Sequence, residues 1–336
     1  MLLAVKHGKG VIKQKSAGRK RCEIAGMLGA FSLLAGCASG TELSDAESSE
    51  NQMSDAESSE NQMSDAETAK VRTADTEPSA AQAQREDGNL TVTVLNTGKS
   101  DCIVIELADM VIMNDTADAD DYEYICAFLE EKQITDIDYM ILSHFDKDHI
   151  GSAAALIETY GAGCVLMPDY EETSEHYEAL MEALDTSETE LLRLQEDYSF
   201  EAAGAEIYVS APGEEEYKDD NNYSLITAVT YGENRFLLMG DAGKKRTGEF
   251  LETAQGEEHY DLIKMPHHGD YNKKLEELFA CARPAWAVLT VGEQRERLEE
   301  KTVRVMEKYG CEVYDTLYGD VVAVADGREI TAGYRN

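Results

Sequence analysis

The sequence has 336 residues and a formal net charge of −37, from 67 acidic and 30 basic side chains. Residues 1–36 hold seven basic side chains and one acid, residues 37–88 hold thirteen acids and three bases, and residues 89–336 hold 53 acids and 20 bases. A chain this acidic is a poor candidate for a general nucleic-acid coat or for binding anionic lipid by charge. Its hydrophobic fraction of 43% supports a folded core, which excludes disorder throughout.

The first 36 residues have the pattern of a secretory signal, with basic residues over 6–21 and an uncharged stretch from Ile24 to Gly36. This stretch is too short to span a bilayer, which takes about 20 apolar residues. It ends in Leu34-Ala35-Gly36-Cys37, which resembles the lipobox of bacterial lipoproteins. The resemblance implies a lipid on Cys37 and an extracytoplasmic protein anchored to the bacterial cell membrane. An ordinary signal with a chance cysteine is the alternative.

A perfect ten-residue repeat follows, beginning at Ser44, again at Ser54 and a third time at Ser64. It contains no aromatic or β-branched residue, so it cannot bury enough surface to offset the entropy of ordering it. Residues 37–88 are therefore predicted to be a disordered, acidic spacer that holds residues 89–336 away from a membrane. A binding tail is the alternative.

Residues 89–336 alternate predicted strands and helices. The predicted strands are 90–96, 103–107, 110–114, 137–143, 165–167, 207–211, 225–231, 236–239, 262–265, 286–291, 313–315 and 321–325. The predicted helices are 122–132, 152–160, 174–184, 246–253, 274–281 and 302–309. Early strands with few helices, followed by alternation, predict an α/β domain in which helices cover two sheets.

Potential metal ligands follow three of these strands. His144, Asp146, Asp148 and His149 lie within six residues after the strand over 137–143, and they supply both nitrogen and oxygen donors. Asp241 follows a second strand in Met239-Gly240-Asp241-Ala242-Gly243, and His267 and His268 follow a third in a Pro-His-His-Gly segment. Six histidines follow Cys37 and four of them lie at these strand ends, so we expect the three segments to converge.

These segments resemble the metallo-β-lactamase fold superfamily, and more closely the extracellular metallohydrolase domain of ComEC competence proteins. The matching segments are 95–101, 114–116, 144–152, 221–225, 239–243, 266–270 and 313–316 with Gly319, in family order. The resemblance implies an αββα sandwich over residues 89–336, with one or two divalent metal ions, Zn or Mn, in a cleft between sheet edges.

The resemblance also implies roles for individual residues. His144 and Asp146 would bind one metal, Asp148 and His149 the other with His267 or His268, and Asp241 would bridge both. Asp148 and Asp241 would thereby be the catalytic residues, with Asp148 also orienting the attacking water. The residues expected to support the ligands are Asp115, Asn222 and Ser224.

Two of the departures of this chain from the family pattern concern the metal ligands. Asp146 replaces the usual histidine, and the histidine common between the first two motifs is absent, since His176 lies in a polar helical segment. The first metal therefore has few ligands, which favours a single-metal or oxygen-preferring site.

Phosphodiester hydrolysis is the favoured reaction, on nucleic acid or a small phosphodiester. Two neighbouring metal ions would stabilise both the attacking and the leaving oxygen of this reaction. Six of the 20 basic residues of 89–336 lie within or just after the motifs, and we select Lys244 and Lys273 as substrate contacts over the alternative of ordinary surface lysines. Two other functions stay open: hydrolysis of another ester or amide (a lactone, a choline ester or a β-lactam), and a binding lipoprotein without catalysis. No protein partner is predicted.

Overall fold

The structure, a computed structural model, describes residues 88–108, 110–292 and 299–335. The predicted signal over 1–36, the lipidation site at Cys37 and all but the last residue of the predicted spacer over 37–88 lie outside these ranges. Within them, no helix combines the length and the apolar character needed to cross a membrane.

The first sheet has eight strands, in the order β15-β14-β1-β2-β3-β4-β5-β6. Its members are β1 (Leu90–Val94), β2 (Ile103–Leu107), β3 (Met110–Asn114), β4 (Ile137–Ile141), β5 (Ala162–Pro168), β6 (Glu190–Leu194), β14 (Val321–Ala325) and β15 (Ile330–Tyr334). The strands from β15 to β3 pair antiparallel, whereas β3 to β6 pair parallel.

The second sheet has seven strands, in the order β13-β12-β11-β10-β9-β8-β7. Its members are β7 (Tyr198–Ala202), β8 (Ala205–Ser210), β9 (Ile226–Tyr231), β10 (Asn234–Leu238), β11 (Leu262–Lys264), β12 (Trp286–Leu289) and β13 (Glu312–Asp315). The strands β10 to β13 pair parallel, so their carboxyl ends meet at one edge of the sheet.

Seven α-helices within the described ranges cover the outer faces of the two sheets. They are α1 (Tyr122–Glu131), α2 (Lys147–Ile150), α3 (Ala153–Tyr160), α4 (Glu175–Thr186), α5 (Lys244–Leu251), α6 (Leu275–Ala282) and α7 (Glu300–Lys308). One apolar core joins the facing sides of the sheets, a second packs α1, α3 and α4 on the first sheet, and a third packs α5, α6 and α7 on the second. The layers therefore run helix, sheet, sheet, helix, which confirms the predicted αββα sandwich.

Three strands were not expected from the sequence, namely β6, β7 and β15. All three are at or near the ends of the sheets and are largely half-buried or exposed, so their sequences lack a continuous apolar run. The interior strand β2, in contrast, is buried at all five positions because both of its faces are covered, and its predicted bounds are the observed ones.

Candidate metal centre

The predicted ligands lie in loops that follow strands of both sheets. The loop after β4 leads into α2 and carries His144 to His149, while the loops after β10 and β11 carry Asp241 and His268. The two sheets come into direct contact here, since the Leu225 N–H donates to the Ser143 carbonyl at 2.7 Å. A Cβ at Gly240, whose φ is +51°, would lie 2.7 Å from the Ser143 Cβ, so only glycine permits this approach.

Asp115 orients His149. The Asp115 carboxylate accepts hydrogen bonds from the Ser143 N–H at 2.7 Å and the Ser143 hydroxyl at 2.8 Å, and its Oδ2 is 2.9 Å from His149 Nδ1. A carboxylate only accepts hydrogen bonds, so His149 Nδ1 carries a proton and Nε2 is the ring nitrogen that remains to bind a metal ion. Asp115 thus lies behind His149, one of the predicted metal ligands.

The same reasoning shows which ring nitrogen of His144 carries a proton. Ser143 Oγ lies 3.0 Å from His144 Nδ1, and its one proton is already donated to Asp115. The serine oxygen must therefore accept from Nδ1–H, which again leaves Nε2 to bind a metal ion. One buried aspartate thus sets the orientation of two imidazoles, and their ring centroids are 4.2 Å apart.

Four buried atoms at the centre of the loops make no hydrogen bond within the described ranges. They are Nε2 of His144, His149 and His268 and Oδ1 of Asp241. Buried polar atoms are nearly always paired, so four such atoms together fit a shared cation. We call these four residues the inner group.

The separations between these atoms fit a shared metal ion. His149 Nε2 is 3.3 Å from Asp241 Oδ1, and His268 Nε2 is 3.3 Å from Asp241 Oδ2 and 3.7 Å from Asp148 Oδ2. Donor atoms that bind one tetrahedral ion at roughly 2.0–2.2 Å lie about 3.4 Å apart. Two overlapping sets result, one of His144, His149 and Asp241 and the other of Asp148, His149 and His268. The residues present therefore fit a metal ion.

Three of the predicted ligands are more exposed, and we call them the outer group. The side chains of Asp146, His267 and Asp148 are 51%, 34% and 27% exposed. Asp146 Oδ2 lies 3.5 Å from His144 Nε2, and His267 Nε2 lies 3.7 Å from Asp241 Oδ2. Of the two histidines offered for the second metal, His268 is the one that joins Asp148 and His149.

Charge within the site also calls for a cation. Three aspartates with fully or almost fully buried side chains, Asp101, Asp115 and Asp241, face a single buried ammonium, that of Lys264. Burial opposes ionisation of Asp241, but His149 and His268 outweigh it and hold the pKa of Asp241 well below its usual range. Burial likewise opposes the charge of His149, whose pKa is nevertheless raised well above the usual range by Asp241 and Asp115. The metal-free site thus holds protons where a cation would bind.

The backbone around the ligands is strained. Asp115, His267 and His268 all have positive φ, of 59°, 47° and 53°. Such conformations cost about 1–3 kcal/mol each for residues other than glycine, and they concentrate at functional sites. Here they turn the side chains of Asp115 and His268 toward the inner group.

The remaining predicted residues act at a greater distance. Ser224 Oγ accepts from the Asp241 N–H at 3.2 Å, which holds the backbone of a ligand. Asn222 Oδ1 accepts from the Arg246 N–H at the start of α5, so it supports the loop and not a ligand directly. Lys244 is exposed at the start of α5, and Lys273 is exposed in the loop that follows His268.

Sequence reasoning missed three buried polar residues behind His268: Asp101, Lys264 and Thr290. Lys264 offered a signal, because it is a lone charge inside the apolar strand Leu262-Ile263-Lys264-Met265. A charge at such a position requires a buried partner. Asp101 lay within a segment that matched the family but was given no role, and Thr290 offered no signal.

Comparison with known proteins agrees with this architecture. The sequence profile of the metallo-β-lactamase superfamily matches residues 95–289. ComE operon protein 3 of Bacillus subtilis is 22% identical over 191 residues, which are 56% of this chain and 24% of that protein. Recombination protein 2 of Haemophilus influenzae is 26% identical over 168 residues, 50% of this chain and 19% of that protein.

A third relative, competence protein ComA of Neisseria gonorrhoeae, is 23% identical over 208 residues, 61% of this chain and 28% of its own. The chain thus spans less than a third of the length of these curated relatives. The crystal structure of YhfI, a metallo-β-lactamase fold protein from Bacillus subtilis, covers 73% of this chain and 100% of its own at 14% identity, with a TM-score of 0.47. Since the family profile spans more than half of the sequence, the chain belongs to the metallo-β-lactamase superfamily.

Proposed function

We propose that this protein is a metal-dependent hydrolase of phosphodiester bonds, tethered outside the bacterial cell by a lipid on Cys37. The observation that carries the proposal is the convergence of the inner group, whose unbonded donor atoms stand at separations typical of ligands of one ion. The names of the relatives, which refer to competence and recombination, favour nucleic acid as the source of the phosphodiester.

A bound divalent ion would be held by His149, His268 and Asp148, and a second by His144 with Asp146, with Asp241 between the two. Such ions lower the pKa of water and stabilise negative charge on phosphate oxygens. All other tasks fall to this chain's own side chains. The buried histidines fix the donor atoms, and Asp148 and Asp241 supply carboxylates at the cleft.

Asp148 is placed to orient an attacking water. Its side chain is 27% exposed, so it reaches both solvent and the inner group. Burial raises the pKa of this carboxyl, but His268 and His149 lower it to about 2. It is therefore ionised at neutral pH and can accept a hydrogen bond from water.

Lys244 and Lys273 are the proposed phosphate contacts. They have no ion pair within the described ranges, whereas their neighbours Lys245 and Lys274 pair with Glu214 and Glu277. In a domain with 53 acids and 20 bases, unpaired ammonium groups beside the ligand loops favour an anionic substrate. The acidic surroundings disfavour a long duplex, so we propose short or single-stranded substrates.

The decisive experiment compares three substrates with the metal-loaded protein: bis(nitrophenyl) phosphate, a short single-stranded oligonucleotide and a chromogenic β-lactam. We expect hydrolysis of the first two, which is lost in Asp148→Ala. Asp185→Ala, which removes an exposed carboxylate on α4, is the matched control and should retain full activity. Activity on the β-lactam alone would show that the substrate is another ester or amide, and metal-free protein without turnover would indicate a binding lipoprotein.

The tether has a separate test. A Cys37→Ser variant expressed with its natural amino-terminal segment should appear in the medium or the soluble fraction, whereas the wild-type protein should sediment with membranes. Equal distribution of the two proteins would contradict the lipid anchor and would leave the proposed chemistry unaffected.

A further inference from the structure

A chain of buried polar groups lies behind His268. Lys264 Nζ contacts Asp101 Oδ2, the Thr290 hydroxyl is 2.7 Å from Asp101 Oδ1, and the same hydroxyl is 2.8 Å from His268 Nδ1. Lys264, Asp101 and Thr290 are completely buried, and His268 nearly so. Asp101 lies in the loop between β1 and β2, Lys264 and His268 lie at the end of β11 and in the turn after it, and Thr290 directly follows β12, so three separate segments converge on one line of contacts.

The direction of each hydrogen bond follows from counting protons. A carboxylate has none to give, so Thr290 must donate its single hydroxyl proton to Asp101. The threonine oxygen can then only accept from His268, which requires the proton of that ring to be on Nδ1. Nε2 of His268 is thereby the ring nitrogen that remains to bind a metal ion, and it faces Asp241 at 3.3 Å and Asp148 at 3.7 Å.

Lys264 supplies the charge that lets Asp101 remain an acceptor in a completely buried position. Its ammonium also donates to the Gly240 carbonyl at 3.3 Å, and it lies 3.8 Å from Asp241 Oδ1. A carboxylate without such a partner would be an uncompensated charge in the protein interior. Lys264 therefore connects the support of His268 to the loop that carries Asp241.

We propose that Asp101, Thr290 and Lys264 are positioning residues that hold His268 with Nε2 directed at a metal ion. We call these three residues the Asp101 relay. The proposal rests on the metal-binding part of the proposed function and does not depend on the substrate. It gives His268 the same kind of support that Asp115 gives to His149, through one intervening hydroxyl.

The first test replaces the hydroxyl and restores it. Thr290→Val keeps the shape of the side chain and removes the donor, so zinc affinity should fall about 10- to 100-fold, as for other partners of metal-binding histidines. Thr290→Ser retains the hydroxyl and should restore the affinity. Thr93→Val is the matched control, because Thr93 is also buried in a strand and its hydroxyl makes no hydrogen bond within the described ranges. Zinc affinity is measured by competition with a chromogenic chelator.

The second test observes the ring itself. In zinc-loaded protein with isotope-labelled histidine, NMR should show His268 bound through Nε2, with a proton on Nδ1 that is protected from exchange. In Thr290→Val this protected proton should be lost or the signals should become heterogeneous. Lys264→Met should produce the same change if the variant folds, and the Thr290 variants test the proposal if it does not.

Three results would overturn the proposal. Wild-type zinc affinity and a protected Nδ1 proton in Thr290→Val would show that the relay does not position His268. Failure of Thr290→Ser to restore the affinity would show that side-chain volume matters and the hydroxyl does not. A wild-type protein that binds no zinc would mean that there is no metal ion toward which the Asp101 relay could direct His268. A protein that binds zinc with the expected NMR signature but cleaves no phosphodiester would contradict only the proposed substrate.

Discussion

The inner and outer groups of the metal centre differ in how firmly their side chains are held. The imidazoles of His144, His149 and His268 are almost fully buried, and each Nδ1 contacts a buried hydroxyl or carboxylate. The side chains of Asp146 and His267 are 51% and 34% exposed. The inner donors are therefore set before any ion arrives, whereas the outer donors remain free to adjust.

This difference predicts unequal metal binding. A donor whose orientation is fixed in advance loses little conformational entropy when it binds, so the site of His149, His268 and Asp148 with Asp241 should fill first. The site of His144 and Asp146 depends on an exposed carboxylate and should fill at higher metal concentration. This chain lacks the further histidine that the family commonly has between the first two motifs, which leads to the same expectation.

Loss of an inner ligand should have the largest effect. His149 belongs to both overlapping ligand sets, the one with His144 and Asp241 and the one with Asp148 and His268. His149→Ala should therefore abolish metal content at both sites, with a loss greater than the roughly 100-fold caused by removing an outer partner of a ligand. Elemental analysis of the purified protein measures this. His176→Ala, on α4, is the control, and equal metal content in both variants would contradict the assignment.

Loss of Asp115, which lies behind two of the inner imidazoles, should have the second-largest effect on metal binding. Asp115→Asn replaces an acceptor with a group that also donates, so His149 and Ser143 lose their fixed directions. Metal affinity should fall about 10- to 100-fold. Asp138→Asn is the matched control, because Asp138 accepts from the Val111 N–H outside the site. Affinity equal to wild type in Asp115→Asn would show that burial alone orients the rings.

The protons of the inner group should make stability depend on pH in opposite ways with and without metal. The pKa of His149 in the metal-free protein is raised above its usual value of about 6.5, chiefly by Asp241 and Asp115 acting against burial. The protonated ring therefore stabilises the folded protein fully at a pH below about 6.5. This stabilisation is lost as pH rises through the pKa that His149 has in the folded protein.

Thermal unfolding at neutral and alkaline pH measures this. With a chelator present, Tm should fall as the solution becomes alkaline. With zinc present, the ion replaces the proton and affinity rises with pH, so Tm should not fall over the same interval. A parallel response in both conditions would contradict the exchange of proton for metal.

Loss of an outer ligand should have a smaller effect. Asp146→Ala should change the affinity of the site of His149, His268 and Asp148 by less than the roughly tenfold expected for a rigidly held partner. In a calorimetric titration of this variant with zinc, the second and weaker binding event should be absent. Loss of both binding events would mean that the two groups are not energetically distinct.

The smallest effect concerns the substrate lysines. An exposed charge contact is worth about 0.2–1 kcal/mol, so Lys244→Ala and Lys273→Ala should each raise KM up to about fivefold with little change in kcat. The difference from wild type should shrink at high salt. Lys308→Ala, which removes an exposed lysine on α7 that is paired with Glu276, is the control. An unchanged KM for the oligonucleotide in both variants would show that neither lysine contacts the substrate.

The parts of this fold that were predictable from sequence are those with strong local signals. The bounds of β2, β3 and β14 agree with the predicted strands, because each is a short apolar run between polar breaks. The edge strands β6 and β7 were missed because half-exposed strands leave no such run. Their existence depends on pairing with neighbours that are distant in sequence.

The ligand segments were also recognisable, because histidines and aspartates after buried strands are uncommon. The partners behind them were harder to predict. Thr290 and Asp101 are 189 residues apart, and only the completed fold brings their side chains within 2.7 Å. Lys264 was detectable in principle, since a lone charge in an apolar strand implies a buried partner, but its partner could not be named from the sequence.

Because His149 follows a strand of the first sheet while Asp241 and His268 follow strands of the second, an ion bound by all three would cross-link the two halves of the sandwich. Ligands that bind only the folded state stabilise it in proportion to the logarithm of their free concentration. Metal supply would then govern how long the protein survives among proteases. Starvation for metal would shorten its lifetime without any dedicated degradation signal.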